Sequence, residues 1–205
     1  MKIRPSSHAE KYLSKIYNNE IMSGHLFYSN QIENFLRELS LPTIFIYRDP
    51  RAIFLSELHY LSEMNRWHKC HKFFSKCTSF DAKFKLCLEG LPQEDFYYPK
   101  FSERIRDYTG WINSEYVFSI SFEELINEKS RGDAIKNLIN YLATFDENFK
   151  DQFNNLHPLK SSIVPENSHT FTGLDPERWR VTLDSNQIHL LESQLGTLIN
   201  EMGYK

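Results

Sequence analysis

The sequence predicts an α/β domain with a partial parallel sheet and many helices. Two short apolar runs, TIFIY from Thr43 to Tyr47 and EYVFSI from Glu115 to Ile120, read as interior strands. Several longer segments repeat their apolar residues at steps of three and four, as helices with one buried face do. The first strand runs straight into a helical pattern through Arg48-Asp49-Pro50, and strand, tight junction and long helix together indicate a parallel sheet.

Leu13, Ile16 and Tyr17 give the segment from Ala9 to Tyr17 the face of a short amphipathic helix, and a Ser-Gly-His turn follows at 23–25. Asn30 with Glu33 forms a capping box ahead of the stripe Ile32, Phe35, Leu36 and Leu39. Pro50 then opens a helix carrying Ile53, Phe54, Leu58, Leu61 and Met64. Residues 67–108 read as mostly helical, with an irregular patch from Gly90 to Pro99. After the second strand, Phe122–Ile126 starts a short helix and Arg131–Phe145 a longer one. Residues 149–172 have weak periodicity and read as loop. Asp184 and Gln187 form a further capping box, and Ile188, Leu191, Leu195, Leu198 and Met202 mark one helix to the end. No repeat, low-complexity tract or linker divides the 205 residues, so the expectation is a single domain over 1–205.

Sixteen Phe and eleven Tyr imply a core built largely of rings. Lys plus Arg number 24 against 27 Asp plus Glu, a balance that argues against a nucleic-acid binder but leaves room for a local anion pocket. No run approaches 18 apolar residues, so no membrane span is expected, and the N-terminal residues lack the apolar core of a secretory signal. Cys70, Cys77 and Cys87 then read as reduced thiols of a cytoplasmic protein. Glycine is scarce, and only Gly24 precedes Gly90.

Arg48 stands at the carboxyl end of a strand, where open α/β sheets bind ligands, and Ser56 lies about two turns into the next helix. An arginine, a hydroxyl and helix N-terminal amides together suit a phosphate. Read blandly, Arg48 pairs with a nearby carboxylate and Ser56 is a small helix residue. His25, in SGHLFYS, follows a glycine that allows a tight turn, and a neutral imidazole is a suitable general base. His68, Cys70, His71 and Cys77 have metal-ligand chemistry, yet HKCH packs three of them into four positions with no second pair at zinc spacing. They read as a helix with half-buried thiols. Glu123 and Glu124 are adjacent on a helix and do not face one another, so they are not a catalytic pair.

RDPRAIFLS resembles the 3′-phosphate-binding motif of the PAPS-dependent sulfotransferases, in which an Arg at a strand end and a Ser eight positions later grip the nucleotide's 3′-phosphate. GHLFYS is similar to the segment with that family's catalytic histidine. SFDAKFKLCLEG (79–90), FSERIRDYTGW, VFSISFEEL (117–125) and the stretch from Gly173 through Trp179 to the last helix resemble further family segments, in the family's order. The resemblance implies a three-layer, P-loop-type α/β fold and transfer of a sulfuryl group from 3′-phosphoadenosine 5′-phosphosulfate (PAPS) to an acceptor hydroxyl or amine, without a metal. It implies His25 as base and Arg48 and Ser56 on the 3′-phosphate; the family's C-terminal nucleotide-binding Arg-Lys-Gly is represented by Phe171-Thr172-Gly173, of which the glycine is retained, with Arg178 and Arg180 close enough in sequence to compensate.

The sequence also departs from the family. It has no Pro-Lys-Ser/Thr-Gly-Ser/Thr-Thr loop for the 5′-phosphosulfate, and Lys160-Ser161 in HPLKSS lacks the glycine. Ser23 stands where a second lysine is often found. The resemblance therefore describes a member shortened at its N-terminus, lacking the first strand and the loop whose amides wrap the anion. It leaves two expectations: a sulfotransferase, or an inactive homologue serving as a nucleotide-binding or protein-interaction module. The acceptor, a small molecule or glycan, is not specified, although Tyr97, Tyr98 and Trp111 are candidates to line its pocket. A sheet edge left open by the absent strand would favour self-association or be masked by the N-terminal helix.

Overall fold

The computed structural model describes residues 6–17, 19–93, 96–152 and 175–205. They form an α/β structure with twelve α-helices, one π-helical stretch, a two-stranded parallel sheet and a separate antiparallel pair of strands. The described residues divide into two compact units, one of 6–47 with 107–152 and one of 48–106 with 175–205. Among them no helix is long and apolar enough to cross a membrane.

The first unit holds the parallel sheet. Ile44–Tyr47 pairs with Phe118–Ser121 in the register Ile44↔Phe118 to Tyr47↔Ser121. Side chains alternate between the faces of a strand. Phe45 accordingly packs against the buried cluster Ile32, Leu36, Trp111, Tyr116 and Val117. On the other face Phe118 stacks on Tyr141 of the helix Arg131–Leu142, with ring centroids 5.4 Å apart. The second strand starts three residues later than its composition predicts. The Ser114 hydroxyl accepts hydrogen bonds from the N–H groups of Tyr116 and Val117 and diverts them from a ladder. Ser121 and Glu124 form a capping box that opens the helix Phe122–Ile126 directly from the strand. The helix Asn30–Glu38 is capped one residue earlier than Asn30: the Ser29 hydroxyl accepts the Ile32 N–H, and Asn30 instead accepts from the Tyr28 hydroxyl at 2.8 Å. The N-terminal helix Ser6–Leu13 places Ala9 and Leu13 on the same core cluster.

The second unit is built on rings. Phe54 lies edge-on to both Phe84 and Phe101, each with centroids 5.0 Å away, joining the helices Pro50–His59 and Phe80–Glu89 to Phe101. The patch after Gly90 is an antiparallel pair, Leu91–Gln93 with Phe96–Tyr98. Gly90 makes the turn into it at φ +75°, a conformation that favours glycine. Nearby, Arg104 bonds Glu57 at 3.0 Å and lies 4.0 Å over the Tyr98 ring, whose hydroxyl also donates to Glu57. The C-terminal pattern is two helices, Ser185–Leu195 and Leu198–Glu201, separated at Gly196 with φ +55°. The apolar period survives that break, with Leu191, Leu195, Leu198 and Met202 all buried.

Candidate functional site

A cleft of about 260 Å³ opens entirely within the second unit. Its first wall is one face of the helix Pro50–His59 and its π-helical continuation Tyr60–Met64: Ala52, Ser56, His59 and Glu63 recur at steps of four, three and four. Arg48 stands at the head of this wall. Asp49 fixes the helix start by accepting the Arg51 N–H at 2.8 Å, with Pro50 in the first turn. The second wall is Ser79, Phe80 and Lys83. Ser79 caps the helix Phe80–Glu89 by accepting the Ala82 N–H at 3.2 Å, so the positive end of that helix lies at the cleft. The third wall is Asp175, Arg178 and Trp179. Trp179 is fully buried and held beneath the Arg51 guanidinium, which lies 4.3 Å from its ring.

Arg48, Lys83 and Arg178 bring three cations to these walls, against the carboxylates of Glu63 and Asp175. Both carboxylates have local partners. Glu63 lies 3.2 Å from His59 Nδ1, and Asp175 accepts the Glu177 N–H at 2.8 Å. Three cationic side chains against two carboxylates, with the helix end, suit an anion bearing acceptor oxygens. The structure thus brings Arg48, Ser56 and Arg178 to one cleft.

The other sequence candidates lie elsewhere. Arg180 pairs with Glu177 at 3.2 Å and covers the Trp179 ring at 4.3 Å, and it is not among the residues lining the cleft. His25 belongs to the first unit, exposed at the end of the exposed run 19–25. The chain is anchored just beyond it, where Trp111 Nε1 donates to the Leu26 carbonyl at 2.7 Å and the Tyr28 N–H to the Asp107 carbonyl at 2.8 Å. Gly173 and the HPLKSS segment lie outside the described residues.

Tyr98 and Trp111 are core residues, and Tyr97 is exposed, bonding Glu103 at 3.0 Å. In HKCH, His68 Nδ1 accepts from the Cys70 N–H, His71 Nδ1 meets the Leu61 carbonyl at 2.9 Å, and Cys70 is buried. Among the described residues no three His, Cys, Asp or Glu side chains gather as a metal site. Burial pushes the Cys70 thiol up to about 12 and holds Cys87 well above its ordinary value, marking both as inert core thiols.

Sequence reasoning passed over His59, Lys83 and Ser79. His59 had a usable signal, standing one turn beyond Ser56. Lys83 and Ser79 had none, since only packing brings their helix to Ser56. No family model, curated protein or solved structure matches this chain.

Proposed function

We propose that the cleft is the nucleotide-binding part of a sulfotransferase-type site, taking the 3′-phosphate of PAPS. The observation that carries this reading is that Arg48 and Ser56, eight residues apart, line one cleft together with Arg178. A guanidinium offers a planar pair of donors to phosphate oxygens, the serine adds a hydroxyl, and the second arginine answers the remaining charge. These residues fit a phosphate monoester. When bound, PAPS supplies the sulfuryl group and leaves as adenosine 3′,5′-bisphosphate. In the full reaction the acceptor's hydroxyl or amine forms the new bond to sulfur and gives up its proton to a base, the role that the family resemblance gives His25, with no metal. The acceptor class is a small molecule or glycan, and the fold class is the P-loop-type sulfotransferase fold. Three free thiols accord with a cytoplasmic setting.

A second reading is nucleotide binding without transfer. One observation favours it: the sequence holds no Pro-Lys-Ser/Thr-Gly-Ser/Thr-Thr motif of the kind that would hold the reacting phosphosulfate. Removing even one preorganised donor from a reacting centre costs about 10²-fold or more in rate.

Titration calorimetry with adenosine 3′,5′-bisphosphate tests the site. Binding to the wild type, lost in Arg48→Ala, is the expected result, and a wild type that releases no heat of binding overturns it. Incubation with sulfur-labelled PAPS and a panel of phenols, amines and sugars then separates the readings. Turnover abolished by His25→Ala supports the enzyme, whereas nucleotide binding with no transfer supports the second reading.

A further inference from the structure

The strand Ile44–Tyr47 has a partner on one side: among the described residues the sheet is this strand and Phe118–Ser121 alone. The Phe118 N–H donates to the Thr43 carbonyl at 2.9 Å. In a parallel ladder this sets the alternation, so the main-chain groups of Phe45 face the Phe118 strand and those of Ile44 and Ile46 face the open edge. The side chains of Ile44 and Ile46 are also uncovered, at 43% and 58% exposure, while Ile120, paired with Ile46, is 3% exposed. The helix Arg131–Leu142 covers the Phe118 half of this face and leaves the Ile44 half open. The N-terminal helix Ser6–Leu13 packs on Asn30–Glu38 and leaves these isoleucines exposed. Native edge strands are usually guarded by a lysine, a proline or an inward charge, and Ile-Phe-Ile-Tyr has none of these.

We propose that this edge is the dimerisation surface of the protein, occupied by the same strand of a second copy running antiparallel about a two-fold axis at Phe45. This register is self-complementary. Ile44 faces Ile46 of the second copy and Ile46 faces its Ile44, each as a hydrogen-bonded pair, because those residues present their N–H and C=O groups outward. Phe45 meets Phe45 at the axis as the non-hydrogen-bonded pair. A two-fold perpendicular to the sheet keeps the isoleucines on one face, so four of them form a continuous apolar strip across the junction. A slip of one residue would oppose Ile44 to Phe45 or Tyr47, which belong to the other face. The charges agree with the register: Arg48 faces Pro42 of the second copy, and no charged residue meets its own kind. The inference is independent of the ligand proposed for the cleft.

A four-residue edge buries little area, so the dimer is weak and depends on concentration. Sedimentation equilibrium on the whole chain from roughly 10 to 300 μM should show a weight-average mass rising from one chain toward two. Ile46→Lys should raise the dissociation constant at least about tenfold, with the circular dichroism spectrum unchanged, since a lysine is desolvated at the joint. Cysteine cross-linking fixes the register whatever that variant does. Ile44→Cys mixed with Ile46→Cys should form a disulfide on mild oxidation, at a Cα separation of about 5.5 Å. Either variant alone should cross-link far more slowly, because two Ile44 positions lie roughly 8 Å or more apart. A wild-type mass that stays at one chain throughout, a dimer indifferent to Ile46→Lys, or cross-linking equally fast in the single variants overturns the proposal.

Discussion

Arg51 Nη1 lies 2.8 Å from Glu192 Oε1, a contact that spans 141 residues of sequence. The same guanidinium grips Asp49 through Nε and Nη2, donates to the Lys205 carbonyl and covers the Trp179 ring. Burial alone would lower its pKa, but the bonds to Asp49 and Glu192 outweigh burial and raise it, so it stays charged although buried. One side chain thus ties the start of the helix after Arg48 both to the C-terminal helix Ser185–Leu195 and to Trp179 on the third wall of the cleft.

Removing that charge strands two carboxylates. Arg51→Met is expected to lower the unfolding free energy by about 3–5 kcal/mol, read from urea melts. Arg51→Lys should recover only a minor part, because an ammonium cannot hold Asp49 side-on while also reaching Glu192. A loss below about 1 kcal/mol in Arg51→Met would show that the network contributes little.

The two C-terminal arginines make an internal control. Arg178 lines the cleft, whereas Arg180 is engaged with Glu177 and the Trp179 ring. Arg178→Ala should weaken adenosine 3′,5′-bisphosphate about tenfold, or 1.4 kcal/mol, and Arg180→Ala by no more than about twofold. Calorimetry on both variants checks the assignment, and the reverse order would move the nucleotide off this wall.

The thiols divide in the same way. Cys70 and Cys87 are buried, and Cys77 is half-buried on the cleft wall. A thiol-specific chromogen at pH 8 should react first with Cys77 and reach the other two only on unfolding. Adenosine 3′,5′-bisphosphate should slow the Cys77 reaction. The raised pKa values also set a pH dependence. Burial lifts the Cys70 thiol from 9.0 to about 12 and the Tyr116 hydroxyl from 10.0 to about 12. Below pH 9 both states carry these protons and stability is unaffected. Between pH 9 and 12 the unfolded chain releases them while the folded chain retains them, so stability falls. Thermal melts across that range should show the decline, and a flat melting temperature would contradict the burial of these groups.

Gly90 carries a sharper local demand. A Cβ there would lie 2.1 Å from the Tyr98 carbonyl oxygen, and φ is +75°. Gly90→Ala is expected to cost more than about 2 kcal/mol, because the collision is with main chain that cannot rotate away. Gly196→Ala has open space around it and should cost only the backbone strain at φ +55°, about 2 kcal/mol. Equal melting temperatures for the two variants would refute the distinction.

Local patterns carried much of this into the sequence. The strand at Ile44–Tyr47, the proline-led helix after it and the Asp184–Gln187 capping box are each written in a handful of neighbouring residues, because caps and strand runs depend on short-range hydrogen bonds and alternation. The delayed start of the second strand and the capping of the second helix by Ser29 were less legible. The first turns on whether the Ser114 hydroxyl or a strand partner takes two main-chain N–H groups, the second on which of two adjacent polar side chains caps the helix. The antiparallel pair after Gly90 was not legible, since its residues lack alternation and depend on each other's register.

By itself the sequence determined the pairing of chemistry with position: an arginine at a strand end, a serine eight residues on and an uncharged edge of Ile-Phe-Ile-Tyr. Tertiary structure alone decided that Arg178, 122 residues beyond Ser56, shares that cleft while Arg180 does not. It decided too that Ile46 stays exposed while Ile120, its register partner, is buried. The reason is physical: a helix face or strand alternation repeats within a few residues, whereas the wall a distant residue joins is set by how whole elements pack.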